Sequence, residues 1–157
     1  MVSEVEYKRK FLVVIDETEE CDRALTFAAW RTRRTGGTVV LMTIVPKPEF
    51  IGMGVEEVLR AEAVEEAERN LDMRLARIRE IGDVRTESVI REGNGPEQIE
   101  DVIARDKDIA ILVLAASKSA EGPGPLVTHF AARTHALPIP LTIVPGRMSD
   151  EEIIAIC

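Results

Sequence analysis

Five short segments rich in Val, Ile and Leu recur along the chain, and the gaps between them have helical periodicity. In chain order these segments are Phe11–Ile15, Thr38–Val45, Val84–Ile90, Ile109–Leu114 and Leu141–Val144. Four of them are mostly apolar, and the third alternates between apolar and polar side chains. Buried parallel strands have nearly continuous apolar sequences because helices cover both faces of the sheet. The pattern therefore predicts a doubly wound α/β domain built from right-handed strand–helix–strand crossovers.

Glycine, proline and capping residues mark the predicted helix ends. Thr18 is placed to cap the first helix, which we expect to end at Gly36-Gly37. The second helix should end at Gly82, the third should begin at Gly95-Pro96, and the fourth is predicted over 128–136. Residues of the first helix that share its predicted buried face are Cys21, Ala24, Leu25 and Ala28.

Length and composition restrict the class of protein. A chain of 157 residues without linker or repeat predicts one domain, with a core at about 8–145 and a short tail over 146–157. The net charge of -8 disfavours nucleic acid as a partner, because binding it requires Lys and Arg on the phosphates. The polar N-terminus predicts no signal peptide, and the longest apolar run, Ile109–Ala116, is too short to cross a bilayer. We expect a soluble, cytoplasmic protein without membrane contact.

The common catalytic and metal-binding motifs do not occur in the sequence. His129 and His135 are six residues apart and lie on different helix faces, so they predict no metal site. Gly93-Asn94-Gly95 lacks the third glycine of a dinucleotide fingerprint and is better explained as a helix start. Cys21 lies on a buried face, which favours a core role over a nucleophilic one. No residue is predicted to be catalytic, and we do not expect an enzyme.

The carboxyl ends of the predicted strands are where a ligand site is expected. In doubly wound sheets ligands bind there, at the point where the strand order reverses. Asp16 ends the first strand, where its carboxylate could accept hydrogen bonds from a base or a ribose. The alternative is that Asp16 caps the helix that follows, and the sequence leaves both hypotheses open.

A second candidate element is the segment Ala115–Thr128 between the fourth strand and the fourth helix. Its glycines and the helix start predicted at Thr128 are typical of a cradle for a small anion, which Ser117 and Lys118 could supplement. The alternative is a loop without a ligand, because the prolines of Gly-Pro-Gly-Pro have no N–H to donate.

Five segments, in this order along the chain, resemble the universal stress protein family from about Lys8 to Pro145. They read VVIDETEECDRAL, TVVLMTIVP, EGNGPEQIEDVI, DIAILVLAASK and LPIPLTIVPG. The resemblance implies a Rossmann-like or flavodoxin-like five-stranded parallel sheet with strand order 3-2-1-4-5. It also implies a homodimer formed through the last strand. One branch of the family binds ATP or AMP, and another does not.

In the nucleotide-binding branch a G-x2-G-x9-G-[ST] motif follows the fourth strand. Carried over, the resemblance implies that Asp16 contacts the adenosine and that the backbone of Val45 meets the base. The three glycine positions of the motif then fall on residues that are not glycine, Ala115, Lys118 and Val127. Its hydroxyl position falls on Thr128. Side chains there would occupy space that bare backbone normally offers to phosphate. Three hypotheses follow: weak nucleotide binding assisted by Lys118, a vestigial site in a dimeric interaction module, or a pocket for another small anion.

The last predicted strand supports a dimer independently of the resemblance. Leu141–Val144 would leave unpaired N–H and C=O groups along the edge of the sheet. Pairing this edge with its own copy about a two-fold axis would satisfy them, with the apolar tail at Ile153, Ile154 and Ile156 covering the junction. The alternative is a monomer in which the tail covers the edge.

Overall fold

A five-stranded parallel sheet in the order β3-β2-β1-β4-β5 organises the computed structural model, which describes residues 9–157. The strands are β1 Lys10–Ile15, β2 Thr38–Val45, β3 Arg85–Glu92, β4 Ile109–Ala116 and β5 Leu141–Pro145. The helices are α1 Cys21–Thr35, α2 Val55–Ile81, α3 Gly95–Arg105, α4 Pro125–Ala132 and α5 Asp150–Ile156, with a 3-10 turn at Thr134–Ala136. The predicted α/β class and strand order are confirmed. Residues 1–8, for which the sequence predicts no signal peptide, lie outside the described part.

Alternate side chains of the central strand enter two separate cores. Val13 and Ile15 point to the face covered by α1, α2 and α5, whereas Leu12 and Val14 point to the face covered by α3 and α4. This two-residue alternation follows from the pleat of a strand. Phe130 of α4 is the largest fully buried side chain of the second core. Both faces of the sheet are thus covered, as the apolar strand sequences predict. Within residues 9–157 no helix is both long enough and apolar enough to span a bilayer.

The start of α1 differs from the prediction. The helix begins at Cys21, and its N-cap, Glu20, makes no side-chain capping bond. Thr18 instead donates to Asp16 Oδ1 from its backbone N–H at 2.8 Å and from its hydroxyl at 2.5 Å. This local turn competes with helix formation and delays the helix. The predicted end is confirmed, because Gly36 adopts φ +80° and its N–H bonds to Thr32 O at 2.7 Å.

The start of α4 also differs from the prediction at Thr128. The helix begins at Pro125, after Gly124, and Thr128 already donates its N–H to Gly124 O at 3.0 Å. Proline suits the first helical position because the N–H it lacks would have no partner within the helix there. The helix also ends earlier, at Ala132, and a 3-10 turn covers the rest of the predicted range.

The C-terminal tail forms α5 and packs against α1. Ser149 and Glu152 form a capping box at its start, and Ile153 is fully buried in the first core. Asp150 binds Arg23 at 2.8 Å and Arg77 at 3.0 Å. The tail is therefore part of the fold, and in residues 9–157 no strand lies beyond β5 at that edge of the sheet.

Candidate functional site

The strand order reverses between β1 and β4, and two adjoining cavities lie at the carboxyl ends of the strands there. Both cavities are lined by Asp16 and Thr18. One, of about 300 Å³, lies between the ends of β1 and β4 and is named the β1–β4 cavity. The other, of about 490 Å³, lies between the ends of β1 and β2 and is named the β1–β2 cavity. The two cavities together occupy the place where doubly wound folds bind ligands.

One face of α2 closes the β1–β2 cavity. Its lining residues follow helical spacing, which places them side by side: Ala63, Glu66, Ala67 and Asn70. The two alanines leave room, and the polar pair offers a carboxylate and an amide. On the sheet side, Thr43 and Val45 of β2 contribute, and Val45 is only 5% exposed. An apolar cavity with a few polar groups is the usual composition of a small-molecule site.

Asp16 lies between the two cavities with an oriented carboxylate. Oδ1 accepts both hydrogen bonds from Thr18, and among residues 9–157 Oδ2 accepts none. Because Glu20 is the N-cap of α1, the hypothesis that Asp16 caps this helix is wrong. Oδ2 is therefore available to accept a hydrogen bond from a ligand.

The loop between β4 and α4 uses most of its hydrogen-bond donors internally. The N–H groups that bond within this loop belong to Ser117, Ser119, Glu121 and Gly122. Pro123 and Pro125 have none to offer. Its positive φ angles occur at Gly122 and Gly124, rather than at the positions of the family's glycine motif. The predicted anion cradle therefore has few free donors.

The structure brings most of the predicted site residues together. Those that line the two cavities are Asp16, Val45, Ala115, Ser117 and Val127. Val127 is 5% exposed and also packs into the second core. Lys118 and Thr128 do not line either cavity. The Lys118 ammonium lies 3.8 Å from Glu19 Oε2, and Thr128 is exposed in a shallow depression on the outer side of the loop.

Glu20 and Gly146 belong to the site although the sequence did not indicate them. Glu20 lines the β1–β4 cavity, and Gly146 follows β5 directly. A Cβ atom on Gly146 would lie 2.5 Å from Ala116 O and 2.8 Å from Glu20 Cγ. Only glycine therefore lets the end of β5 approach both β4 and Glu20 so closely. Glu20 would have been placed at this rim if α1 had been predicted to begin at Cys21 rather than near Thr18.

The site is acidic. The titratable residues that line the two cavities are Asp16, Glu17, Glu20, Cys21 and Glu66, and neither lining includes Lys or Arg. Burial raises the pKa of the Cys21 thiol, which donates to Thr18 O at 3.1 Å. The thiol therefore stays protonated, and the prediction that Cys21 is a core residue is confirmed by its 2% exposure. Within the described residues no group of three or more His, Cys, Asp and Glu side chains could hold a metal ion.

Solved structures with the same fold are numerous. Universal stress protein UspA from Lactobacillus plantarum superposes with a TM-score of 0.72 at 17% identity, covering 89% of this chain and 99% of the other. The Archaeoglobus fulgidus universal stress protein in complex with dAMP gives 0.61 at 20% identity, covering 88% and 98%. A universal stress protein family protein from Arabidopsis thaliana with AMP bound gives 0.62 at 18% identity, covering 91% and 94%. At these identities the likeness concerns the fold. Comparison with curated proteins found no match.

The sequence itself carries the assignment. A model of the universal stress protein family matches residues 8–145, which include all five strands and the loops that form both cavities. The chain therefore belongs to the universal stress protein family.

Proposed function

We propose that this chain is a regulatory protein of the cellular stress response that binds an adenosine-containing ligand weakly. The observation that carries the proposal is the place of Asp16, whose oriented carboxylate lines both cavities at the reversal of strand order. Relatives of the same fold are described with AMP and with dAMP, which supports an adenosine-type ligand. We expect the protein to be cytoplasmic.

In this proposal the base and the ribose supply most of the binding energy. The base lies in the β1–β2 cavity against the backbone of Val45, and a ribose hydroxyl donates to Asp16 Oδ2. The phosphates would meet a loop whose donors are largely used, with Lys118 paired elsewhere. ATP or AMP would therefore gain little from its phosphates. We propose no turnover of the ligand, because neither cavity lining includes Lys, Arg or His and the buried Cys21 thiol bonds to Thr18 O.

Ligand binding is tested by thermal denaturation with adenosine, AMP and, as a control for the base, guanosine. A ligand that binds only the folded state at ten times its Kd stabilises it by about 1.4 kcal/mol. For a domain of this size, that corresponds to a rise in Tm of about 3–5 °C. We expect this rise with adenosine and no rise with guanosine. A Tm unmoved by any adenosine compound would contradict the proposal.

A dimeric interaction module without nucleotide is the second candidate function. The self-bonded loop and the bulky Lys118 and Val127 at glycine-motif positions favour it. In either case we propose a homodimer through β5. This strand is the edge of the sheet, and Ile143 on it is 39% exposed. Pairing with a second copy would satisfy the edge and bury that side chain.

Ile143→Lys should convert the dimer to a monomer, because a charge on an edge strand opposes strand pairing. Light scattering after size-exclusion chromatography measures the mass, which for one chain is 17.4 kDa. Met73→Lys is the matched control, because Met73 is 65% exposed on α2, which packs against β2 and β3 at the other side of the sheet. A wild-type protein of monomer mass, or a variant that stays dimeric, would contradict the β5 interface.

A further inference from the structure

We infer that the site selects against ligand charge, so that adenosine binds more tightly than AMP and AMP more tightly than ATP. Glu20 is the residue to which we assign this selectivity. The inference rests on the proposed function, since it concerns the ligand class of the same site. It reverses the order expected of a site that gains affinity from phosphates.

Glu20 is held at the rim of the β1–β4 cavity. It is partly buried, and its Cγ lies beside Gly146, where a Cβ atom would approach it to 2.8 Å. The ion pairs formed between residues 9–157 within 4 Å do not include its carboxylate. Glu20 therefore lines the cavity without an ion-pair partner among the described residues.

The N-terminus of α1 cannot serve as the anion site that such helix ends often provide. Glu20 is the N-cap residue, so an acidic side chain already stands at this helix end, although it makes no capping bond. Two N–H groups in the first turn of α1 already bond to the preceding turn. Asp22 N–H donates to Glu19 O at 3.1 Å, and Arg23 N–H donates to Glu20 O at 2.9 Å. A ligand phosphate in the β1–β4 cavity would share that cavity with the acidic Glu20 side chain and would find few free amides at this helix end.

Two nearby cations, Lys118 and Arg74, are paired with other carboxylates, and Arg69 of α2 lines a neighbouring depression but neither cavity. The Lys118 ammonium lies 3.8 Å from Glu19 Oε2, and the Arg74 Nε lies 3.2 Å from Asp22 Oδ1. Arg74 is buried and also contacts the Cys21 sulfur at 3.5 Å, so it cannot turn toward the cavity without leaving both partners. The uncompensated charges that line the cavities are thus all negative.

The expected effect follows from Coulomb's law. Two like unit charges about 5 Å apart, at an effective dielectric constant between 20 and 80, weaken binding by about 4- to 270-fold. We therefore expect AMP to bind at least about fivefold more weakly than adenosine in low salt. The difference should shrink as salt screens the charges.

Isothermal titration calorimetry of the full chain with adenosine, AMP and ATP, in buffer containing EDTA, tests the inference. Glu20→Gln keeps the shape of the side chain and removes its charge. We expect it to raise the affinity for AMP relative to that for adenosine by about fivefold or more. Glu68→Gln removes one charge from an exposed position of α2 and should change neither affinity. Thermal denaturation without ligand shows whether the Glu20 variant is folded.

Two results would overturn the inference. One is wild-type protein that binds AMP as tightly as adenosine or more tightly; the other is an unchanged affinity ratio in Glu20→Gln. In both cases the proposed adenosine site would stand. Failure of adenosine and AMP to bind to either protein would instead overturn the proposed function, and the inference with it.

Discussion

Truncation of Ile153 to alanine should lower the free energy of unfolding by about 2–4 kcal/mol. Ile153 is fully buried and joins α5 to the core beneath α1, in a cluster that includes Leu25 and Val144. The lost free energy combines the transfer of apolar atoms with the cost of the cavity left behind. The cavity persists because Asp150 still anchors the start of α5 to Arg23 and Arg77. Urea denaturation followed by circular dichroism measures the change.

Ile156→Ala in the same helix is the matched control for Ile153→Ala. Ile156 is 61% exposed, so the same substitution there should change stability by no more than about 0.5 kcal/mol. Equal effects at the two positions would mean that α5 is not docked on α1. The tail would then not be part of the first core.

Asp16→Ala should weaken adenosine binding by about 10- to 100-fold, because a hydrogen bond to a charged acceptor contributes about 1.5–3 kcal/mol. This variant also removes the turn with Thr18, so its effect alone does not separate ligand contact from local folding. Asp16→Asn does, because its amide oxygen can still accept from Thr18 while an NH₂ group replaces Oδ2.

We expect Asp16→Asn to lose most of the adenosine affinity and to keep the Tm of the free protein. Calorimetry with adenosine measures the first quantity, and thermal denaturation without ligand measures the second. Because adenosine is uncharged, the loss of the Asp16 charge does not itself change adenosine affinity through charge–charge interaction. An Asn variant that binds adenosine like wild type would show that Oδ2 does not contact the ligand.

The sequence predicted the architecture well because the order of strands and helices depends on repeated, local patterns of apolar residues. The strand sequences are buried on both faces, and Cys21, Ala24, Leu25 and Ala28 were found buried as their spacing indicated. Helix starts were harder to predict because they depend on competing local hydrogen bonds. Thr18 can cap a helix or bond to Asp16, and only the folded geometry decides between the two. For α4 the signal was present, since Gly124-Pro125 has the composition of a helix start.

The candidate site was predicted in part, and the misses share a cause. Asp16 and Val45 end strands, so the topology alone places them at the site. Lys118 depends instead on the shape of an irregular loop, in which side-chain and backbone bonds turn it toward Glu19. Glu20 was missed because its place at the rim requires the helix to begin at Cys21. Contacts such as that between Gly146 and Ala116 join distant segments and have no periodic signature.

Amide chemical-shift mapping by NMR during an adenosine titration tests the central claim most directly, since it detects weak binding and locates it. We expect saturable shifts concentrated at 16–18, at the end of β1, and at 43–45, at the end of β2. Absence of shifts at millimolar adenosine, or shifts confined to surfaces away from both strand ends, would contradict it.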